Sequence, residues 1–200
     1  MEDTFKTING IAEGLLTEKK SKFIGYAIPV QTVEGVKATI EKYRKEYYDA
    51  RHVCWAYMLG AERKEFRAND DGEPSGTAGK PILGQINSNE LTDILVLVVR
   101  YFGGIKLGTS GLISAYKGAA IEALSNSEII EKTVDLDISF KFEYPFMNDV
   151  MRIVKEEEPE ILNQSYEMDC SMTLRIRKSL MPKLQSRLEK VETLRFQENS

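Results

Sequence analysis

The sequence predicts an α+β protein of two domains, with the boundary near Lys132. Three observations support this prediction. The 200 residues suffice for one large domain or two small ones, each with its own core. Residues 1–132 alternate between β-branched apolar runs and helical spacing. Residues 133–200 follow a strand and helix order, β-α-β-β-α-β, that makes a small domain by itself.

Composition is that of an ordinary globular protein, and it excludes several classes. No apolar run approaches the ~20 residues that span a bilayer, and the first ten residues, MEDTFKTING, lack a signal-peptide layout. A net charge of −4 argues against nonspecific coating of nucleic acid. Cys54 and Cys170 are too few for a disulfide framework or a four-ligand zinc site. We therefore expect a cytoplasmic protein with no membrane association, no cofactor and no bound metal.

The first elements follow from apolar spacing and turn signals. Phe5–Leu16 and Lys22–Val30 have the composition of strands, with a turn at Asn9-Gly10. Apolar residues recur at helical spacing from Thr32 to Tyr48, which predicts a helix. His52–Leu59 is apolar on both faces and therefore predicts a central strand.

The next stretch, Glu65–Ile86, has no clear period, and we expect a loop that leads into a short helix from about Ser75. Ile94–Phe102 (ILVLVVRYF) is the strongest buried-strand signal in the chain. Thr109–Leu124 has the spacing of a helix. These elements complete the first domain.

The second domain begins with Val134–Phe142 (VDLDISFKF), whose alternation predicts a half-solvated antiparallel strand. The remaining elements are the helices Pro145–Glu157 and Leu180–Lys190 and the strands Ile161–Met168, Ser171–Arg177 and Thr193–Gln197. The order predicts a ferredoxin-like βαββαβ sandwich with a helical layer on one face of the sheet.

The loop DDGEPSGTAGKP, Asp70 to Pro81, resembles a phosphate-binding loop but fails the test of spacing. When Gly79-Lys80 are aligned with the Gly-Lys of a P-loop, prolines occupy the positions of the first glycine and of the Mg²⁺-binding hydroxyl. The acids Asp70, Asp71 and Glu73 suit either a hard cation or, more commonly, a turn and helix cap.

The stretch RYFGGIKLGTSGLISAY, Arg100 to Tyr116, runs from a buried strand through four glycines into a helix. Free N–H groups at a helix start, with Arg100 and Lys106 nearby, suit an anion. The spacing is not the Gly-x-Gly-x-x-Gly of a dinucleotide fold. The alternative, which we favour on spacing alone, is that the glycines let the helix pack close to the sheet and that Thr109 or Ser110 caps it.

Nucleophilic catalysis would have to pass through His52, the single histidine. Cys54 shares its strand face, but no third orienting group is identifiable, so His52 is kept as a polar site only. Six bases against one acid between Leu174 and Lys190 suggest either a solvated face or a modest basic patch. The members of this secondary patch are Arg175, Arg177, Lys178, Lys183 and Arg187.

Three long motifs together resemble the IMPACT family, in particular its bacterial YigZ-type branch. They are RHVCWAY (Arg51–Tyr57), DDGEPSGTAGKPIL (Asp70–Leu83) and the Arg100–Tyr116 stretch, and SKFIGYAIPV (Ser21–Val30) is a fourth match. The chain departs from the family pattern at Thr109, Ser110 and Ser114, where the family commonly has Ala, Gly and Arg.

The resemblance implies a fold for each domain. Residues 1–132 are expected to be similar to domain 2 of ribosomal protein S5, and residues 133–200 to a ferredoxin-like domain of the elongation factor EF-G. Eukaryotic family members act in translational control, whereas bacterial members have no established reaction.

From the resemblance we expect a non-enzymatic, translation-associated protein that binds RNA or a ribosomal component, or a translation-related protein partner. No DNA specificity is expected. The alternative is a binder of a phosphate-containing small ligand, or an enzyme, that uses the same loops. The expected contact residues are Asp70, Asp71, Glu73, Ser75, Thr77, Lys80, Arg100, Gly103, Gly104, Lys106, Thr109 and Ser110.

Overall fold

A computed structural model describes residues 3–198 of the chain, which form two compact units. One unit contains residues 5–132, and the other contains residues 3–4 and 133–198. Each combines helices with a sheet of antiparallel strands, which confirms the predicted α+β class. No helix in the described part of the chain is long and apolar enough to cross a membrane.

The described part of the first unit contains seven strands and three helices. In chain order they are β1 (Thr4–Asn9), β2 (Ala12–Glu18), β3 (Ser21–Pro29), α1 (Val33–Glu46), β4 (His52–Leu59), β5 (Glu65–Asn69), α2 (Gly79–Ser88), β6 (Ile94–Tyr101), α3 (Gly108–Ser125) and β7 (Glu128–Thr133). The main sheet has the order β2-β3-β6-β4-β5, and β1 pairs with β7 in a second, two-stranded sheet.

Strand β6 is apolar from Ile94 to Val99 because helices cover both faces of the sheet. Ile94, Val96 and Val98 pack in the core shared with α2 and α3. Leu95 and Val99 pack in the core beneath α1. The alternation of a strand therefore places every second residue in a different core, and both cores exclude water.

Two strands and one helix start differ from the sequence predictions. The helix expected from about Ser75 begins at Gly79, because the carboxylate of Asp70 binds the preceding backbone N–H groups in a loop. The strands β5 and β7 were not predicted. Their side chains are mostly exposed, so neither strand has the buried face that produces an alternating pattern.

The second unit has the predicted ferredoxin-like arrangement. Its elements are β8 (Asp135–Phe142), α4 (Met147–Glu157), β9 (Glu160–Tyr166), β10 (Cys170–Arg177), α5 (Met181–Leu188) and β11 (Arg195–Gln197). The sheet order is β11-β8-β10-β9, and all its pairs are antiparallel. Phe140 and Leu174 from the sheet are buried with Val150 and Leu184 from the two helices, so one face of the sheet carries the core.

Candidate functional site

A cavity of about 330 Å³ opens in the first unit, where the start of β4, the end of β6 and the start of α3 meet. Its wall combines cations, one carboxylate, the single histidine and several apolar side chains. The lining residues are Arg51, His52, Glu73, Pro74, Arg100, Phe102, Lys106, Leu107, Gly108, Thr109 and Leu112.

Strand register explains how these side chains meet. The strands β4 and β6 are antiparallel neighbours, and His52 is paired directly with Arg100. Residues opposite each other on neighbouring strands project from the same face of the sheet. The loop after β5 then brings Glu73 to this edge, so three residues far apart in sequence face one cavity.

Glu73 is the centre of the polar contacts in the cavity floor. Its side chain is 2% exposed, and its Oε1 accepts a hydrogen bond from the hydroxyl of Tyr116 at 2.9 Å. The same oxygen accepts from Nη1 of Arg100, whose side chain is also buried. Nε2 of His52 lies 3.5 Å from it. A buried carboxylate with these partners is compensated, because its charge is matched and its oxygen is hydrogen-bonded.

His52 is held in one orientation by a backbone contact. Its Nδ1 lies 2.7 Å from the carbonyl oxygen of Asp71, which can only accept, so Nδ1 carries a proton and donates it. The other ring nitrogen, Nε2, is therefore the one that faces Glu73 and the cavity. The backbone contact therefore fixes the orientation of the ring relative to Glu73.

Arg100 is placed between two aromatic rings. The carbon of its guanidinium lies 5.6 Å from the centroid of Phe23 and 5.7 Å from that of Phe102. These contacts favour the charge and hold the guanidinium plane. The Nε of Arg100 is buried and has no hydrogen-bond partner, a feature it shares with Nε1 of Trp55 among the described residues.

The rim of the cavity is positively charged. Arg51 and Lys106 are exposed and line it, and the guanidinium of Arg51 lies 5.4 Å from the ring centroid of Phe102. The start of α3, at Gly108, has no side-chain cap. Uncapped N–H groups and the helix dipole suit an anion. Anion binding at this stretch stays a prediction.

The two aspartates of the loop have structural partners and do not line the cavity. Asp70 accepts hydrogen bonds from the backbone N–H groups of Gly76, Ala78 and Gly79. Asp71 accepts from the N–H of Val53 and pairs with Arg44. Asp70 therefore caps the loop before α2, as the turn and helix-cap interpretation predicts, whereas Asp71 ties the loop to β4 and α1. Across residues 3–198, no group of three or more metal-ligating side chains is placed to hold an ion.

Two other groups near the floor are buried and protonated. Burial is the main cause that raises the pKa of the Cys54 thiol and that of the Tyr116 hydroxyl well above their ordinary values. The Cys54 thiol donates to the carbonyl oxygen of Asp70 at 3.0 Å. A thiol in this state is a poor nucleophile, since the thiolate is the reactive form.

The structure brings some of the predicted site residues together and separates others. The predicted residues that line the cavity are His52, Glu73, Arg100, Lys106 and Thr109. Those outside its lining are Asp70, Asp71, Ser75, Thr77, Lys80, Gly103, Gly104 and Ser110. Gly103 has a packing role, because a Cβ there would collide with the backbone of Lys20.

Sequence reasoning missed Arg51, Phe102 and Tyr116 as members of the site. Arg51 precedes His52 in the RHVCWAY motif, and the other two lie in the Arg100–Tyr116 stretch, so their motifs were a signal. Their roles depend on contacts across the fold. Tyr116 reaches Glu73 from α3. Arg51, just before β4, lies against Phe102, which follows the end of β6.

The secondary basic patch in the second unit is mostly matched by acids. Arg175 pairs with Asp137, and Arg177 pairs with Asp3. Lys183 and Arg187 both contact Glu157. Of the five patch residues, Lys178 alone has no salt bridge to a described acid. Binding of a ligand at this patch stays a prediction.

Comparisons of the sequence with known proteins all point to one family. The model of the Impact N-terminal domain matches residues 19–124. The IMPACT family member YigZ of Escherichia coli is 38% identical over 74% of this chain and 74% of its own length. YvyE of Bacillus subtilis, another IMPACT family member, is 34% identical over 79% of this chain and 73% of its own.

A solved structure extends the likeness over the whole chain. It is a crystal structure described only as that of a hypothetical protein, with 29% identity and a TM-score of 0.77. The alignment covers 100% of this chain and 99% of that one. The domain match, the two bacterial relatives and this fold agree, and the chain therefore belongs to the IMPACT family.

Proposed function

We propose that this protein acts in translation, in the cytoplasm, as a non-enzymatic protein that binds RNA through the cavity and its rim. One observation carries the RNA part of the proposal. Arg51, Lys106 and the uncapped start of α3 surround one opening, and the aromatic ring of Phe102 lies within it. The translation part rests on the family resemblance, since eukaryotic members act in translational control.

The chemistry of the rim suits a single-stranded segment. Phosphates are bound by arginine, lysine and helix N-termini. Unpaired bases stack on aromatic rings and on guanidinium planes. Phe102 is 41% exposed, and Arg51 is exposed beside it, so both kinds of contact are offered at one place. The net charge of −4 makes binding depend on this local cluster, because the protein as a whole does not attract polyanions.

A filter-binding series with single-stranded RNA at several salt concentrations tests the proposal. Arg51→Ala and Lys106→Ala are each expected to weaken binding. Each is also expected to reduce the slope of log K against log salt by about 0.7, because one phosphate contact is lost.

Lys6→Ala is the matched control, since Lys6 pairs with Glu90 just before the start of β6, at the opposite end of that strand from Arg100. The control should bind as the unaltered protein does. The proposal is abandoned if no RNA binds at low salt and the protein does not co-sediment with ribosomes. An equal loss in all three variants also contradicts it, because the cavity would then have no special part.

A further inference from the structure

We infer that the floor of the cavity binds a phosphomonoester, the terminal phosphate of a nucleotide or of an RNA chain. The inference deepens the proposed function and rests on it, because it places the ligand in the same cavity. It goes further by naming the chemical group that the buried residues recognise.

Size limits the ligand to about one nucleotide. Pockets for small ligands span about 300–1,000 Å³. A cavity of about 330 Å³ lies at the lower end of this range. The cavity accommodates one end of an RNA chain or a single mononucleotide. An internal segment of RNA, which continues in both directions, can only cross the rim.

The unpaired donor is Nε of Arg100. The side chain is 8% exposed and lines the cavity, and Nη1 is occupied by Glu73. Phe23 and Phe102 lie against the guanidinium, so a ligand approaches it along an edge. The Nε–H lies on the edge with which arginine binds oxyanions bidentately. Nε itself is buried, so an oxyanion reaches it by a turn of the guanidinium toward the cavity. A buried donor without a partner costs free energy, and this contact removes the cost.

The start of α3 supplies a second set of donors to the same cavity. Gly108 and Thr109 both line the cavity, and no side chain caps the N-terminus of this 18-residue helix. Its first-turn N–H groups therefore add hydrogen bonds and the positive end of the dipole to the charge of Arg100.

Charge favours a dianion over the single charge of an internal phosphodiester. The lining has three cations, Arg51, Arg100 and Lys106, and one carboxylate, Glu73. Two positive charges are thus left in excess. Glu73 is already counted in this balance, and its Oε1 is bound by Tyr116 and Arg100. A phosphomonoester carries about −1.5 to −2 at neutral pH, which matches this excess.

The apolar part of the wall gives the nucleoside a place. Pro74, Leu107 and Leu112 line the cavity together with Phe102. Arg51 lies against Phe102 at the rim and presents a planar group on which a base stacks. The phosphate is then directed to Arg100 and α3, and the base to the rim.

Thermal-shift and calorimetric titrations test the site with defined probes: inorganic phosphate, a nucleoside, its 5′-monophosphate and its 3′-monophosphate. We expect either monophosphate to stabilise the protein in a concentration-dependent way, while the nucleoside gives no shift. The same RNA sequence is then compared with a 5′-phosphate, a 3′-phosphate and hydroxyl ends. RNA with a phosphate at the end that enters the cavity should bind about tenfold more tightly, or better, than RNA with a hydroxyl at that end. The hydroxyl form lacks the charge-assisted hydrogen bonds of the phosphate.

The variants are chosen so that folding does not obscure the result. Arg100→Lys tests the floor directly, but Arg100 is buried and its replacement can disturb the fold. Lys106→Glu is the second variant, because Lys106 is exposed and lines the same cavity. Lys106→Glu should lose the preference for a phosphorylated end, and Lys6→Glu should retain it.

The outcomes separate this inference from the proposed function. If hydroxyl-ended and phosphorylated RNA bind equally and the monophosphates give no shift, the inference is overturned while RNA binding stands. If the monophosphates bind in a Lys106-dependent way but no RNA does, the phosphomonoester site stands and the RNA function fails. Nucleoside binding as tight as that of its monophosphates also overturns the inference.

Discussion

Glu73 has a side-chain exposure of 2%, and one of its carboxylate oxygens lies close to groups from β4, β6 and α3. This single residue therefore ties together the elements that enclose the cavity. Its burial is tolerable because Arg100 supplies the opposite charge, and the same is true of Arg100 in return. The two residues form one electrostatic unit, so neither can be changed without consequence for the other.

Glu73→Ala should lower the free energy of unfolding by about 3–5 kcal/mol, because it leaves the charge of Arg100 buried without its partner. Glu73→Gln should cost less than the alanine variant, since the amide oxygen still accepts from Tyr116. Urea denaturation measures both.

Glu90→Gln is the control for these variants, because the side chain of Glu90 is 74% exposed and pairs only at the surface with Lys6. Its effect should stay within about 0.5 kcal/mol. Equal effects of Glu73→Gln and Glu90→Gln would show that the buried pair contributes nothing beyond a surface contact.

At the scale of elements, the packing of α3 on the sheet sets the shape of the cavity. The strands β2 and β3 carry glycines where the helix crosses them. A Cβ at Gly25 would lie 2.5 Å from the carbonyl oxygen of Ala119, and one at Gly14 would lie equally close to backbone atoms of α3. The helix therefore approaches the sheet as closely as the backbones allow, which fixes the position of its start at the cavity.

Gly25→Ala should destabilise the first unit by about 1–3 kcal/mol, because the added methyl group has no room against the helix backbone. The matched control is Gly84→Ala in α2, where a Cβ meets nothing within 4 Å. This control should be neutral or stabilising by up to about 1 kcal/mol, since alanine is the better helix former. Chemical denaturation distinguishes the two, and a neutral Gly25→Ala would contradict the close packing of α3.

At the scale of the whole molecule, the division into units does not follow the order of the chain. Residues 3–4 belong to the unit formed by residues 133–198. Asp3 explains this: both of its carboxylate oxygens accept hydrogen bonds from Arg177, and the N–H of Ser179 donates to one of them. These hydrogen bonds, led by that of Arg177, hold the pKa of Asp3 far below its ordinary range.

This shift predicts a pH-dependent contribution to stability. Because the pKa of Asp3 is lower in the folded than in the unfolded state, its contribution is present in full above the unfolded value of about 3.9. The contribution is lost as the pH falls below that value. Asp3→Asn should therefore lower the urea midpoint at neutral pH, and the difference from the unaltered protein should shrink in acid. A difference that stays constant into the acid range would contradict the pairing with Arg177.

The sequence by itself determined the class, most elements and the motifs that identify the family. It could do so because apolar periodicity records which faces are buried, and turn residues record where the chain reverses. The same reasoning failed at β5 and β7, whose exposed side chains leave no periodic trace.

Only the tertiary structure decided which motif residues form a site. The sequence grouped Asp70, Asp71 and Glu73 as neighbours in one loop, yet two of them bind backbone N–H groups and only the third faces the cavity. Conversely, it could not connect His52 with Arg100, because that contact depends on the register of two strands 48 positions apart in sequence. Local spacing fixes local conformation, whereas contacts between distant residues depend on how the elements pack.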